Sequence, residues 1–344
     1  MYLCHMMTEN PYTKQISDHW SECAVAFPEL MADKTVLYCH GFASSGQSGT
    51  VKRFCEVMPQ AKIVAPDLPI HPQEAIALLH DICQQEQPDL IIGTSMGGMY
   101  AEQLRGYDRI CVNPALEMGE TMKAHGMTGT QQFQNPREDG QQEFYVDKAL
   151  IKEYKEQSEK RFLGVTEEEL GRVYGLFGDE DTTVDTYDMF HQVYPLATHF
   201  HGEHRMNDKS FMHSVVPVIR WIDDKQEKRE RPIVYIGIET MIDSYRKPAS
   251  AMLKAVRMLI ERYQVYFVAP PDHYDIASAW LAEYVNVPAW RHTVYAYRRD
   301  LLYGDYLVSA QKEGDTMATL IEYGSDTFKT WEDIIEYFSR LGGQ

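Results

Sequence analysis

Short apolar runs recur along the chain, each closed by glycine, proline or a polar turn, with longer segments of helical period between them. Thr35-Val36-Leu37-Tyr38-Cys39, Ala61–Ala65, Asp89–Ile92 and Arg109–Val112 have the length and β-propensity of strands. Helical periods fall at Gly49–Met58, Pro72–Gln85 and Gly98–Arg105. Strands that are apolar throughout, alternating with helices, imply a parallel sheet covered on both faces. Residues 115–170 break this rhythm: they are polar, helical and irregular, with no strand pattern. A stretch of that length inside an α/β fold reads as a cap over a site. The rhythm returns with strands at Arg172–Phe177 and Leu196–Phe200, and a helix over Asp208–Ile222 closes the domain. Residues 1–34 read as an extension with a short helix around Asp18–Leu30.

Residues 223–231, DDKQEKRER, form a charge run without an apolar face, which reads as a solvated linker ahead of Pro232. A second αβ rhythm follows. Strands are expected at Ile233–Ile238, Val265–Val268, Tyr306–Val308 and near Thr319–Tyr323, with an apolar stretch near Thr293–Tyr297. Helices are expected at Ala249–Tyr263 and Trp331–Leu341. The expected organisation is an α/β domain over residues 35–222, capped at about 115–170, and a smaller α/β domain over 232–344.

Composition narrows the function classes. The 344 residues are 44% apolar and 24% charged, as in a soluble globular protein. A net charge of −18 opposes a nucleic-acid or anionic-membrane partner, since phosphates would be repelled over most of the surface. It leaves room for a small anionic substrate in a locally positive pocket. Cys4, Cys23, Cys39, Cys55, Cys83 and Cys111 are scattered, with no C-x-x-C pair. They point to a reducing cytoplasm and no disulfide framework. No segment has the ~20 apolar residues of a membrane helix, and Met1–Asn10 lacks the character of a signal peptide.

The chemistry centres on Gly93-Thr94-Ser95-Met96-Gly97, a G-x-S-x-G pattern with a strand before it and a helix after it. That context suits a nucleophile elbow, in which a strained turn exposes the serine Oγ. The serine needs a base, an acid to orient the base, and two N–H groups for the oxyanion. In this fold the acid and then the histidine follow later strands. Gly178-Asp179-Glu180-Asp181 supplies the acid, with Asp181 favoured and Asp179 the alternative. His204 is favoured as the base and His201 is the reserve, whereas His199 falls in a strand and His213 in a helix. The oxyanion donors are expected to be the backbone N–H groups of Met96 and of Phe42, the latter in His40-Gly41-Phe42. His40 is read as shaping that loop. No metal or organic cofactor is needed.

These motifs, with Tyr38-Cys39-His40-Gly41-Phe42-Ala43-Ser44-Ser45, Val112-Asn113-Pro114-Ala115 and Gly202-Glu203-His204, make residues 35–222 resemble α/β-hydrolases of the small YqiA-like esterase type. The resemblance implies hydrolysis of short acyl esters or thioesters through an acyl-enzyme.

The second half resembles the monofunctional 5′(3′)-deoxyribonucleotidases of the haloacid-dehalogenase superfamily. The resemblance rests on Tyr266-Phe267-Val268-Ala269-Pro270 with Ser278-Ala279-Trp280, on Arg298–Val308, and on Ile321–Phe328 with Trp331-Glu332. It implies a smaller Rossmann-like domain and an aspartate nucleophile with a second aspartate two residues on. Here those positions are Gly237 and Glu239. The phosphate-holding hydroxyl falls at Ala269, the lysine at Arg299, and the metal acids at Ser309 and Ala310. Glycine cannot attack phosphorus, and Mg²⁺ needs oxygen anions. The expectation is a domain without catalysis, kept for packing, oligomerisation or ligand binding. The rival readings are a scaffold with both domains retired and a phosphatase of altered chemistry.

Overall fold

The computed structural model describes residues 27–242, 249–273, 277, 280–285, 293–311 and 316–341. The helix expected around Asp18–Leu30 lies largely outside them. Among the described residues the chain divides into two compact units. One comprises residues up to Asp208 with Val218–Asp223; the other comprises Lys209–Pro217 and the residues from Asp224 on.

In the first unit the apolar runs form β1 (Thr35–Cys39), β2 (Lys62–Val64), β3 (Leu90–Thr94) and β4 (Arg109–Val112). Helices α1 (Gly49–Val57), α2 (Pro72–Glu86) and α3 (Met96–Gln103) connect them. The sheet is completed by β7 (Val173–Gly178) and β8 (Ala197–Phe200), with α7 (Tyr187–His191) between them. Its order is β2-β1-β3-β4-β7-β8, with every neighbouring pair parallel. All of β4 and nearly all of β1, β3 and β7 are buried. That is why these strands, apart from the ion-paired Arg109, are largely apolar rather than alternating. The chain moves outward in opposite directions from β1 and β3. Their carboxyl ends therefore flank the crevice in which α/β sheets place ligands.

Residues 115–170 correct one expectation. Besides α4 (Met118–Ala124), α5 (Lys148–Ser158) and α6 (Glu167–Leu170) they contain an antiparallel hairpin, β5 (Gly129–Gln132) with β6 (Glu143–Val146). Burial alternates along β6: Phe144 and Val146 are buried and Tyr145 is exposed. The strands are four residues each, joined by a ten-residue connection, so their period is too brief to stand out. The helix expected over Asp208–Ile222 is also interrupted. A short turn of helix at Asp208–Ser210 leads into a π-helical Phe211–Val215, then α8 (Val216–Gln226). The last helix runs into the charge run, where Asp224 pairs with Arg229 at 2.8 Å and Arg231 at 2.5 Å.

The second unit has a parallel sheet of order β11-β10-β9-β12-β13. Its strands are β9 (Ile233–Gly237), β10 (Gln264–Ala269), β11 (Thr293–Tyr295), β12 (Tyr306–Ser309) and β13 (Thr319–Glu322). Helices α9 (Ser250–Arg262) and α10 (Trp331–Leu341) bury Leu259, Trp331, Ile334 and Phe338 in one core with Val234, Ile236 and Phe267. The fold class is thus α/β, with two parallel sheets.

Cys39, Cys83 and Cys111 are free and buried. Cys4 and Cys23 lie outside the described residues. No helix among the described residues is long and apolar enough to cross a membrane.

Candidate active site

Ser95 stands between β3 and α3 with φ +54° and ψ −119°, a backbone conformation that side chains larger than hydrogen rarely adopt. The turn is held on both sides. Ser95 N–H donates to the Val112 carbonyl at 2.9 Å, and its own carbonyl accepts from Gly98, Met99 and Ala115 at 2.9, 3.2 and 3.0 Å. A Cβ at Gly93 would meet the Ala101 Cβ at 2.7 Å, and one at Gly97 would meet the His40 carbonyl oxygen at 2.7 Å. Both glycines are therefore needed for helix and strand to approach this closely.

His204 Nε2 lies 2.9 Å from Ser95 Oγ, and His204 Nδ1 lies 2.7 Å from Asp181 Oδ2. With Nδ1–H donated to the carboxylate, Nε2 is left to accept the serine proton. Asp181 is buried, which acts to raise its carboxyl. The His204 hydrogen bond and the Thr183 and Val184 N–H groups, at 2.7 and 3.1 Å from Oδ1, nevertheless hold it below the ordinary carboxylate value. It stays ionised beside the imidazole. The alternatives form a separate couple: His201 Nδ1 lies 3.3 Å from Asp179 Oδ1, which also accepts the Gly202 N–H at 3.1 Å. Among the described residues neither is hydrogen-bonded to Ser95. His199 lies against the Tyr187 ring, with centroids 4.0 Å apart.

The loop after β1 reaches the same place. A Cβ on Gly41 would sit 3.5 Å from Ser95 Cβ, so this loop lies directly beside the serine. Met96 opens α3, where backbone N–H groups have no acceptor within the helix. His40 is buried. Its Nδ1 donates to the Gly41 carbonyl at 2.8 Å, and its Nε2 accepts from the Leu68 N–H at 3.0 Å. Burial pushes its pKa down to about 4, so it remains a neutral brace for the loop. The Phe42 ring packs edge-on against Phe144 and Tyr154, and the Tyr154 hydroxyl meets Met96 Sδ at 3.2 Å. Residues of the 115–170 segment thus pack against the side chains of both residues whose backbone N–H groups are the expected oxyanion donors.

Asn113 is a site residue that sequence reasoning missed, although its motif was in view. It ends β4 with φ +44°, a conformation asparagine tolerates better than most residues. Its Oδ1 accepts the Gly178 N–H at 2.7 Å, and its Nδ2 donates to the carbonyls of Glu203 and His204 at 3.1 and 3.0 Å. One buried amide therefore ties the start of the acid loop to the histidine loop. At Gly178 a Cβ would fall 2.8 Å from the Glu203 carbonyl oxygen.

In the second unit Gly237, Ala269 and Ser309 end β9, β10 and β12. Arg299 Nη1 and Nη2 donate to the two carboxylate oxygens of Glu239 at 2.5 and 2.6 Å. Nη1 also meets Ser309 Oγ at 3.0 Å, and the Ala310 N–H donates to Glu239 Oε1 at 3.2 Å. Burial acts to raise the Glu239 carboxyl, but the arginine pair holds it below its ordinary value. A Cβ at Gly237 would fall against that carboxylate and 2.6 Å from Arg299 Nη1. The space of the expected nucleophile is occupied by an ion pair.

A family model described as "Uncharacterised protein family (UPF0227)" matches residues 35–216. The chain is similar to a Vibrio phage KVP40 protein named "Putative 5'(3')-deoxyribonucleotidase", with 21% identity, covering 33% of this chain and 89% of that one. Among solved structures it is similar to a marine microorganism esterase, with 14% identity, 56% of this chain and 94% of that chain covered, and a TM-score of 0.36. An esterase/lipase from an uncultured bacterium is similar at 14% identity, covering 64% and 92% of the two chains, with a TM-score of 0.31.

Proposed function

Over residues 35–216 the chain belongs to the uncharacterised protein family UPF0227, and we propose that this part is a serine hydrolase of small esters or thioesters. One observation carries the reading: Ser95 Oγ, His204 and Asp181 form a hydrogen-bonded chain of 2.9 and 2.7 Å on a residue of positive φ. Ser95 Oγ attacks the acyl carbon while its proton passes to His204 Nε2. The Phe42 and Met96 N–H groups hold the oxyanion, each donor lowering the barrier by about 3 kcal/mol. Collapse of the tetrahedral species expels the alcohol or thiol, which takes the proton from Nε2. Water, deprotonated by His204, then cleaves the acyl-enzyme to the free acid and restores Ser95. Asp181 keeps the His204 tautomer fixed and stabilises the imidazolium. The distances within the chain argue against a retired scaffold.

The second unit is proposed to be without catalysis. Its strand ends carry Gly237, Ala269 and Ser309, so glycine stands where the nucleophile belongs, and the Glu239 carboxylate is taken up by Arg299 and the Ala310 N–H rather than left for a hard cation. Turnover of p-nitrophenyl acetate and butyrate, with Ser95→Ala as the control, tests the first proposal. Mg²⁺-dependent phosphate release abolished by Glu239→Ala would refute the second.

A further inference from the structure

The mouth of the crevice is closed into a ring by specific contacts. His204 Nε2 meets Ser95 Oγ at 2.9 Å. The next residue, Arg205, donates from Nη2 to Gln134 Oε1 at 3.1 Å. Gln134 donates its backbone N–H to the Ala43 carbonyl at 2.8 Å, and Asn135 Nδ2 donates to Ser44 Oγ at 3.2 Å. Ala43 directly follows Phe42, and Gly41 returns the ring to Ser95. The Arg205 guanidinium therefore bridges from the histidine loop to the segment seated on the oxyanion loop.

Its charge is unbalanced. The chain carries a net charge of −18, and other arginines of this unit lie against acids: Arg53 with Asp208 at 2.5 Å, Arg105 with Glu102 at 2.8 Å, and Arg109 with Glu169. Arg205 is exposed, and among the described residues its partner is the neutral Gln134 amide, with no carboxylate in ion-pair range. An amide oxygen is a weak partner for a guanidinium. A carboxylate accepts two N–H groups of the planar fork and forms shorter, stronger bonds. An incoming anion can take the place of Gln134 without breaking any ion pair.

We propose that Arg205 determines specificity, selecting esters that bear a carboxylate or similar anionic group. The proposal rests on the hydrolase reading of Ser95. Part of the substrate then lies in the acyl-transfer site and its charged end lies under Arg205.

Matched pairs of esters provide the test, because they differ only in charge. p-Nitrophenyl hemisuccinate against its methyl ester places the charge on the acyl side. 4-Acetoxybenzoate against methyl 4-acetoxybenzoate places it on the leaving group. For at least one pair, Arg205→Gln should lower the charged-to-neutral ratio of kcat/KM about fivefold, mainly through KM. Arg205→Lys, which keeps the charge but not the planar fork, should restore only part of the ratio, and added salt should erode it in the wild type. A ratio unmoved by Arg205→Gln in both pairs, in an enzyme that hydrolyses the neutral esters, overturns the proposal and leaves the hydrolase reading standing. Absence of turnover for all four esters, with no labelling of Ser95 by a fluorophosphonate, overturns both.

Discussion

Asn113 Nδ2 donates to the main-chain carbonyl of His204 at 3.0 Å, so the residue that ends β4 holds the proposed general base by its backbone. The same side chain accepts the N–H of Gly178, at the head of the acid loop. Acid and base are thus positioned by one buried amide. Replacing Asn113 by alanine removes these bonds and leaves two carbonyls and an N–H unsatisfied. We expect kcat on p-nitrophenyl butyrate to fall about 10- to 100-fold, equivalent to ~1–3 kcal/mol. Asn113→Asp keeps the acceptor for Gly178 but sets a carboxylate against two carbonyl oxygens, and it should lose as much. Activity within about twofold of wild type in a folded Asn113→Asp variant would count against this role.

His40 provides a pH signature of stability. Burial puts its native pKa at about 4, below the ordinary 6.5 of an unfolded chain. As pH falls below 6.5 the unfolded chain takes up the proton first, so this contribution to stability declines from there and is fully lost near pH 4. The loss amounts to about 3 kcal/mol. Urea unfolding at pH 7 and pH 4.5 should show a smaller decline in His40→Gln than in wild type. Equal declines would show that His40 titrates normally in the fold.

Restoring the missing nucleophile of the second unit should fail. An aspartate side chain at Gly237 meets the Glu239 carboxylate and the Arg299 guanidinium. Gly237→Asp is therefore expected to destabilise this unit by about 1–3 kcal/mol through overpacking and like-charge contact. It should release no phosphate from p-nitrophenyl phosphate with Mg²⁺. Phosphatase activity in that variant would mean that the ion pair gives way and that the domain retains its chemistry.

Much of the fold was legible because its strands are buried on both faces. Runs such as Val36–Cys39 and Ile110–Val112 are apolar from end to end, and helices of clear period separate them. Ser95, Asp181 and His204 stand out as candidates by their order after successive strands, and they lie in one hydrogen-bonded chain. What the sequence left open was the choice between Asp179 and Asp181, which depends on how one loop turns back. Hydrogen bonding favours Asp181, whose other oxygen is held by the Thr183 and Val184 N–H groups. The hairpin at Gly129–Val146 escaped notice because four-residue strands give too little alternation to read. Asn113 escaped because its role exists only between loops 65 and 90 residues further along the chain. Phe42 was read through its backbone alone, and its packing against Phe144 and Tyr154 depends on a segment that looked merely polar.

The most direct test of the central claim is covalent labelling of Ser95 by a fluorophosphonate, located by peptide mass spectrometry. The account predicts stoichiometric phosphonylation at Ser95, abolished in Ser95→Ala and slowed at least about 100-fold in His204→Ala. Equal labelling of wild type and Ser95→Ala, or a label on another residue, would contradict it.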